Sequence, residues 1–212
     1  MDVAAKAPAG VLAKLGFVSW IVYGGLAGAD RWLSAGLAGL TLTVVVVATQ
    51  YRRRAVKLMD CTSLGYFTAE TLIVFVSGTA FIQRYHLAFV WGVFAVVAWL
   101  TVIVGFPFTL QYTREQMPRE VWDNPAFYQM NRRMTELWSV IFTLGMVLGA
   151  VSMRYGHVLL LGMIIPMAAM GVGLVFSQLY PRRFADQFSP ARHSAPRAAS
   201  RHDKPAGTLR LT

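Results

Sequence analysis

An all-α membrane protein, a bundle of six transmembrane helices with an amphipathic cytoplasmic segment leading into the fifth, is what this 212-residue sequence predicts. Three observations carry the prediction. Hydrophobic residues make up 56% of the chain and charged residues 14%, a balance that does not suit a surface facing water on all sides. The apolar residues gather in six runs, 11–28, 33–50, 64–82, 87–110, 137–153 and 158–179, each close to or above the ~17 to 25 residues that cross a hydrocarbon layer of about 30 Å. The cations are also partitioned between the two sides. The connections at 29–32, 83–86 and 154–157 hold one arginine each, Arg31, Arg84 and Arg154, while the other 17 of the 20 Lys and Arg lie on the opposite side, 16 in the remaining polar segments and Lys14 near the start of the first run. Positive charge is retained on the cytoplasmic side. Residues 1–10, the loops 51–63 and 111–136 and a basic tail at 181–212 are therefore expected in the cytoplasm, with both termini there.

Taken in order, the first run carries Lys14 near its start and is followed by no convincing cleavage site, so it reads as a span and not as a secretory signal. The second run leaves the membrane through Tyr51-Arg52-Arg53-Arg54, with Lys57 close behind. Arg52, Arg53, Arg54 and Lys57 are expected on anionic lipid head groups, each gaining ~1 kcal/mol there. The third run contains Glu70, flanked by Thr68 and Thr71. A carboxylate within a span costs several kcal/mol unless paired, protonated or wet. Glu70 is thus either a proton or cation site, or the partner of a basic residue such as Lys57.

Pro107 ends or kinks the fourth run, since it lacks an N–H and crowds the preceding turn. The polar stretch after it pairs its charges, Arg114 beside Glu115 and Arg119 beside Glu120. Asn124 followed by Pro125 reads as a helix start, a capping side chain followed by the residue best suited to the first helical position. Phe127, Met130, Met134, Leu137 and Trp138 then recur at helical spacing, with Arg132 and Arg133 on the opposite side. Such an amphipathic stretch suits the interface, its apolar stripe on the lipid and Arg132 and Arg133 on head groups, before the chain turns inward at Trp138. Asn131, Thr135, Trp138 and Phe142 share one line down this helix. They form either a polar path or a set of bonds between neighbouring helices. Gly24 with Gly28 and Gly145 with Gly149 permit close helix approach, against the chain's own helices or against a second copy in a homo-oligomer. Pro166 predicts a kink in the last span.

The tail from residue 189 is rich in Pro, Ala, Ser and Arg and has no apolar periodicity, as in disordered segments. Its arginines come with no base-reading pattern, so no nucleic-acid partner is expected. The one cysteine, Cys61, allows no internal disulfide. The four histidines share no helical face at ligand spacing, and no nucleophile or phosphate-binding motif is present. No enzyme activity, cofactor or metal site is expected.

The segment Tyr51-Arg52-Arg53-Arg54-Ala55-Val56-Lys57-Leu58-Met59, the passage from Pro125 through Arg133 to Trp138-Ser139-Val140-Ile141-Phe142 and Gly145, and the rhythm of the spans over residues 11–180 resemble the intracellular septation protein A (YciB-like) family of bacterial inner-membrane proteins. The sequence departs from the family in having Thr135 three residues before Trp138, where the family tends to have Asn. The resemblance implies a non-enzymatic inner-membrane protein acting as an envelope or division scaffold, with lipids and division proteins as partners. The alternative is a small transporter or lipid-handling protein that uses Glu70 and the line of Asn131, Thr135 and Trp138. The topology has a direct test: reporter fusions after residues 58, 120 and 200 are expected to be cytoplasmic and one within 83–86 external, and an external report at 120 would overturn the arrangement.

Overall fold

The computed structural model describes residues 9–28 and 31–188. The first eight residues and the tail from 189, where disorder is expected, lie outside the described residues. Within them the chain is helical nearly throughout. Helix α1 (Ala9–Gly28), α2 (Trp32–Arg52) and α3 (Leu58–Ser77) form one half. Helix α4 (Ala80–Ile103) leads through the short α5 (Leu110–Thr113) and a 3-10 turn at Arg119–Val121 into α6 (Pro125–Tyr155). A π-helical stretch, Val158–Ile164, runs into α7 (Ile165–Phe188) and ends the described chain.

Four of these elements are long and apolar enough to cross a membrane: Trp32–Arg52, Ala80–Ile103, Pro125–Tyr155 and the run Val158–Pro181. The all-helical class of the sequence prediction is therefore observed, with four candidate spans among the described residues. Helices α1 and α3 have 20 residues each, about 30 Å at ~1.5 Å per residue. Helix α2 shows why an apolar medium favours this fold, since it includes four consecutive valines that helix propensity alone would disfavour. Without water, a helix is the arrangement in which a single segment satisfies all its own backbone groups.

Burial is inverted relative to a soluble protein. Phe75, Val76, Ile103 and Val104 point outward, whereas Glu70, Asn131, Thr135 and Ser139 have no exposure. One core unites Tyr23, Tyr66 and Phe67 of the α1–α3 half with Ile82 of α4. A second gathers Trp91, Ala95, Trp138 and Phe142 between α4 and α6. A third, of Leu110, Phe127, Met130 and Met134, lies under the connection between those two helices.

Three differences from the sequence prediction have physical reasons. The turn between the third and fourth runs lies at Gly78, not at 83–86. Gly78 takes φ 76° and donates its N–H to the Val74 carbonyl at 3.0 Å, closing α3, and Gln83 to His86 belong to the first turns of α4. The second difference concerns the start of the fifth span. Asn124 does cap it, accepting the Ala126 N–H on Oδ1 at 2.9 Å ahead of Pro125. The helix then runs unbroken for 31 residues with no turn at Trp138. Phe127, Met130 and Met134 face the third core and not head groups, because the folded α5 connection offers them an apolar surface to bury. Third, α7 continues through Pro181 to Phe188, so the tail begins later than residue 181. The expected distortion near Pro166 is taken up by the π-helical stretch ending at Ile164, a local widening that commonly relieves an interrupted hydrogen-bond ladder.

The two glycine pairs differ. A Cβ on Gly145 would lie 2.5 Å from the Trp91 ring, and one on Gly149 would lie 3.0 Å from the Ala88 backbone nitrogen. Gly24 has open space at that position. Substituting alanine at Gly145 or Gly149 should thus cost about 1–3 kcal/mol through overpacking, while Gly24→Ala should be neutral or stabilising by up to about 1 kcal/mol. Thermal unfolding in detergent measures the difference, and equal midpoints for all three variants would contradict a close α4–α6 approach.

Candidate functional site

Most of the buried polar side chains that bond between elements fall into three separate groups, each built where helices from different parts of the chain meet. In the first, Glu70 of α3 lies within the aromatic core of the α1–α3 half. Four residues before it on the same helix face stands Tyr66, and α1 contributes Tyr23. The Tyr23 hydroxyl donates to Glu70 Oε1 at 2.8 Å and lies 3.3 Å from the Tyr66 hydroxyl. Glu70 Oε2 is buried with no hydrogen-bond partner, as is Thr71 Oγ1 beside it. Trp20, whose Nε1 donates to Ser63 Oγ at 3.1 Å, stacks its ring 4.6 Å from that of Phe67 and 5.1 Å from that of Tyr66. Gly36 and Gly39 of α2 let that helix close on Thr71 and Phe67, where a Cβ would lie 2.8 Å from Thr71 Oγ1 and 2.5 Å from the Phe67 ring. A carboxyl group is thereby enclosed by three helices, with one hydroxyl on one oxygen and none on the other.

Lys57, the ion partner considered for Glu70, is engaged elsewhere. Its ammonium group pairs with Glu115, donates to the Gln111 carbonyl at 2.8 Å and sits 5.1 Å from the centre of the Tyr112 ring. The lysine is buried, so it does not reach out to head groups as Arg52, Arg53 and Arg54 can, all three of which are exposed. The correction has a simple cause: the α5 connection folds over the start of α3 and brings a carboxylate to Lys57.

Around Lys57 lies the second group, a clasp made largely by two glutamines. Gln50 at the end of α2 accepts the Lys57 N–H at 3.1 Å and donates to Asp60 Oδ2 at 2.6 Å. Gln111 of α5 accepts the Leu58 N–H at 2.8 Å. The first amides of α3, which a helix cannot satisfy internally, are thus capped from two other elements. Gly16 of α1 allows the approach, since a Cβ there would collide with Asp60 Oδ1.

The third group contains the polar line on α6. Asn131 Nδ2 donates to the Phe127 carbonyl at 2.9 Å, and its Oδ1 accepts from Thr113 Oγ1 at 2.6 Å. Thr135 Oγ1 meets Thr109 Oγ1 at 2.9 Å, while Thr109 Oγ1 also donates to the Asn131 carbonyl at 2.8 Å. Trp138 Nε1 donates to Ser177 Oγ of α7 at 2.9 Å. Asn131 and Thr135 therefore fasten the α5 connection to α6, and Trp138 fastens α7. Glu70 belongs to a different core, so the four candidates are not brought together. Arg132 and Arg133 are exposed, the former paired with Glu136 at 3.0 Å.

Tyr23, Tyr66, Gln50 and Gln111 were not singled out from the sequence. Tyr66 stands at i−4 from Glu70, which is a legible signal. The other three reach their partners across different elements and leave no mark in local spacing.

Among the described residues, fold and polar groups together define an all-helical protein with four helices long and apolar enough to cross a membrane and with several polar side chains, Glu70, Asn131 and Thr135 among them, buried between helices. Compared with protein-family models, with curated proteins and with solved structures, the chain finds no match.

The clasp predicts coupled energetics. Glu115→Gln should cost about 1–3 kcal/mol by leaving a buried ammonium without its counterion, and Lys57→Met in the same chain should recover most of that loss. Unfolding midpoints of the two single variants and the double variant in detergent test this, and strictly additive losses would show that the pair is not coupled.

Proposed function

We propose that this chain is a six-span bacterial inner-membrane protein of the septation protein A type, with both termini in the cytoplasm, that acts without catalysis as a scaffold in envelope synthesis or division. The α4–α6 connection carries the reading. It is folded onto the bundle on its inner side, through the Thr109, Thr113 and Asn131 hydrogen bonds and the Gln111 contact with α3. Tyr128 adds a further tie, donating to the Gly105 carbonyl at 3.2 Å. On its outer side, Arg114 and Arg119 flank the Trp122 ring at 5.4 and 5.6 Å, and Arg119, Glu120, Asp123, Arg132 and Arg133 are exposed. A connection held this firmly presents a pre-organised charged surface, which favours partner binding by lowering the ordering cost.

The spans are α1 to α4, α6 and the run from Val158 through α7. Anionic lipid head groups meet Arg52, Arg53 and Arg54 at the exit of α2 and Arg132 and Arg133 on α6, all on the cytoplasmic side under the positive-inside rule.

Changing Arg132 and Arg133 together to Glu separates scaffold from bundle. Because both side chains are exposed, folding stability should change by only about 0.5 kcal/mol per site. In cells lacking the native chain, the variant is expected to accumulate normally yet fail to restore envelope or division defects. A photoreactive residue at Glu120 should form a discrete protein adduct in the parent chain and lose it in the variant. Full complementation together with an unchanged adduct would rule out this surface as the working one.

A further inference from the structure

We propose that Glu70, with Tyr23 and Tyr66, forms a proton-binding site inside the α1–α3 half, independent of any scaffold role. The side chain has no exposure. Its Oε1 accepts the Tyr23 hydroxyl at 2.8 Å, while Oε2 is buried without a partner. Among the described residues the ion pairs are Lys57 with Glu115 and Arg132 with Glu136, so no cation neutralises Glu70. A carboxylate in an apolar interior, unpaired and with one oxygen bare, is unfavourable relative to the neutral acid. A proton on Oε2 removes the charge and leaves Oε1, the carbonyl oxygen of the acid, as the acceptor for Tyr23.

The surroundings suit a proton better than a metal cation. Tyr23 aims its own hydrogen at Oε1, and the Tyr66 hydroxyl lies 3.3 Å behind it, giving two hydroxyls in series that can pass a proton but no second carboxylate to complete a cation shell. Both tyrosines are themselves buried. Apart from the neutral Thr71 hydroxyl beside it, the surroundings are apolar: α2 and α4 pack Trp32, Ala35, Ile82 and Phe89 against this core. The titratable side chain on these faces is His86, whose ring meets that of Trp32 at 4.8 Å between centroids. Lys57 and Asp60 are engaged in the clasp. An enclosed acid with a hydroxyl pair at one oxygen is a site that can take up and release a proton.

The test uses the full chain in native membranes and the apolar probe dicyclohexylcarbodiimide. A protonated carboxyl adds its O–H across one carbon–nitrogen double bond of the probe, forming an O-acylisourea. The acyl group then moves to nitrogen as a stable N-acylurea, and no atoms leave. Peptide mass spectrometry is expected to find one such adduct at Glu70, absent in Glu70→Gln. The labelling rate should fall about tenfold per pH unit once the acid ionises, and it should be indifferent to sodium. Tyr23→Phe, which removes the donor that favours the anion, should carry labelling to higher pH. If Glu70→Gln fails to fold, the position of the adduct in the parent chain identifies the site by itself. The proposal is overturned by an unlabelled Glu70 in folded protein, by a rate unchanged between about pH 5 and 9, or by protection with sodium, which would make this a cation site.

Discussion

The entry into α3 hangs on side chains from outside that helix. Its first amides are taken by Gln50 from α2 and Gln111 from α5, and Lys57 between them is neutralised by Glu115. Remove these partners and the start of α3 would present bare N–H groups and a buried ammonium, each costing on the order of 1–3 kcal/mol. The clasp also sets geometry elsewhere. Because it binds α5 to α3, the α4–α6 connection lies flat on the bundle, and this in turn gives Phe127, Met130 and Met134 a surface to bury.

Outside the core, Thr41 and Thr49 on α2 donate back to the carbonyls of Leu37 and Val45 at 2.8 and 2.7 Å, a common way for hydroxyls to be satisfied on an apolar helix. Asn131, Thr135 and Thr109 exhaust most of one another's bonding capacity. Against this background Glu70 stands apart: it is a fully enclosed acid with one oxygen hydrogen-bonded to Tyr23 and the other bare. Ser19, Thr43 and Thr71 also leave a buried hydroxyl without a partner, but these are neutral groups. Glu70 is an acid, so its unpartnered oxygen bears on its protonation as well as on stability.

The helix α6 ties the two aspects together. Its outer turn carries exposed arginines, its inner turns pack Gly145 and Gly149 against Trp91 and Ala88 of α4, and its length of 31 residues joins the exposed connection rigidly to the membrane core.

Composition and apolar runs, by themselves, determined that the chain is all-helical and carries helices able to cross a membrane, because hydrocarbon leaves a single segment no other way to satisfy its backbone. A local signal of two residues was also legible, Asn124 with Pro125 at the start of α6. The burial of Phe127, Met130 and Met134 was not legible, since an amphipathic stripe looks the same whether it faces lipid or protein. Nor was the partner of Lys57, because Glu115 and Gln111 meet it only after the α5 connection folds back over α3. The environment of Glu70 was decided in the same way. Sequence placed an acid within a span, but only the packing of α1 on α3 put the Tyr23 hydroxyl on one oxygen and nothing on the other, since contacts between residues 47 positions apart leave no periodicity to read.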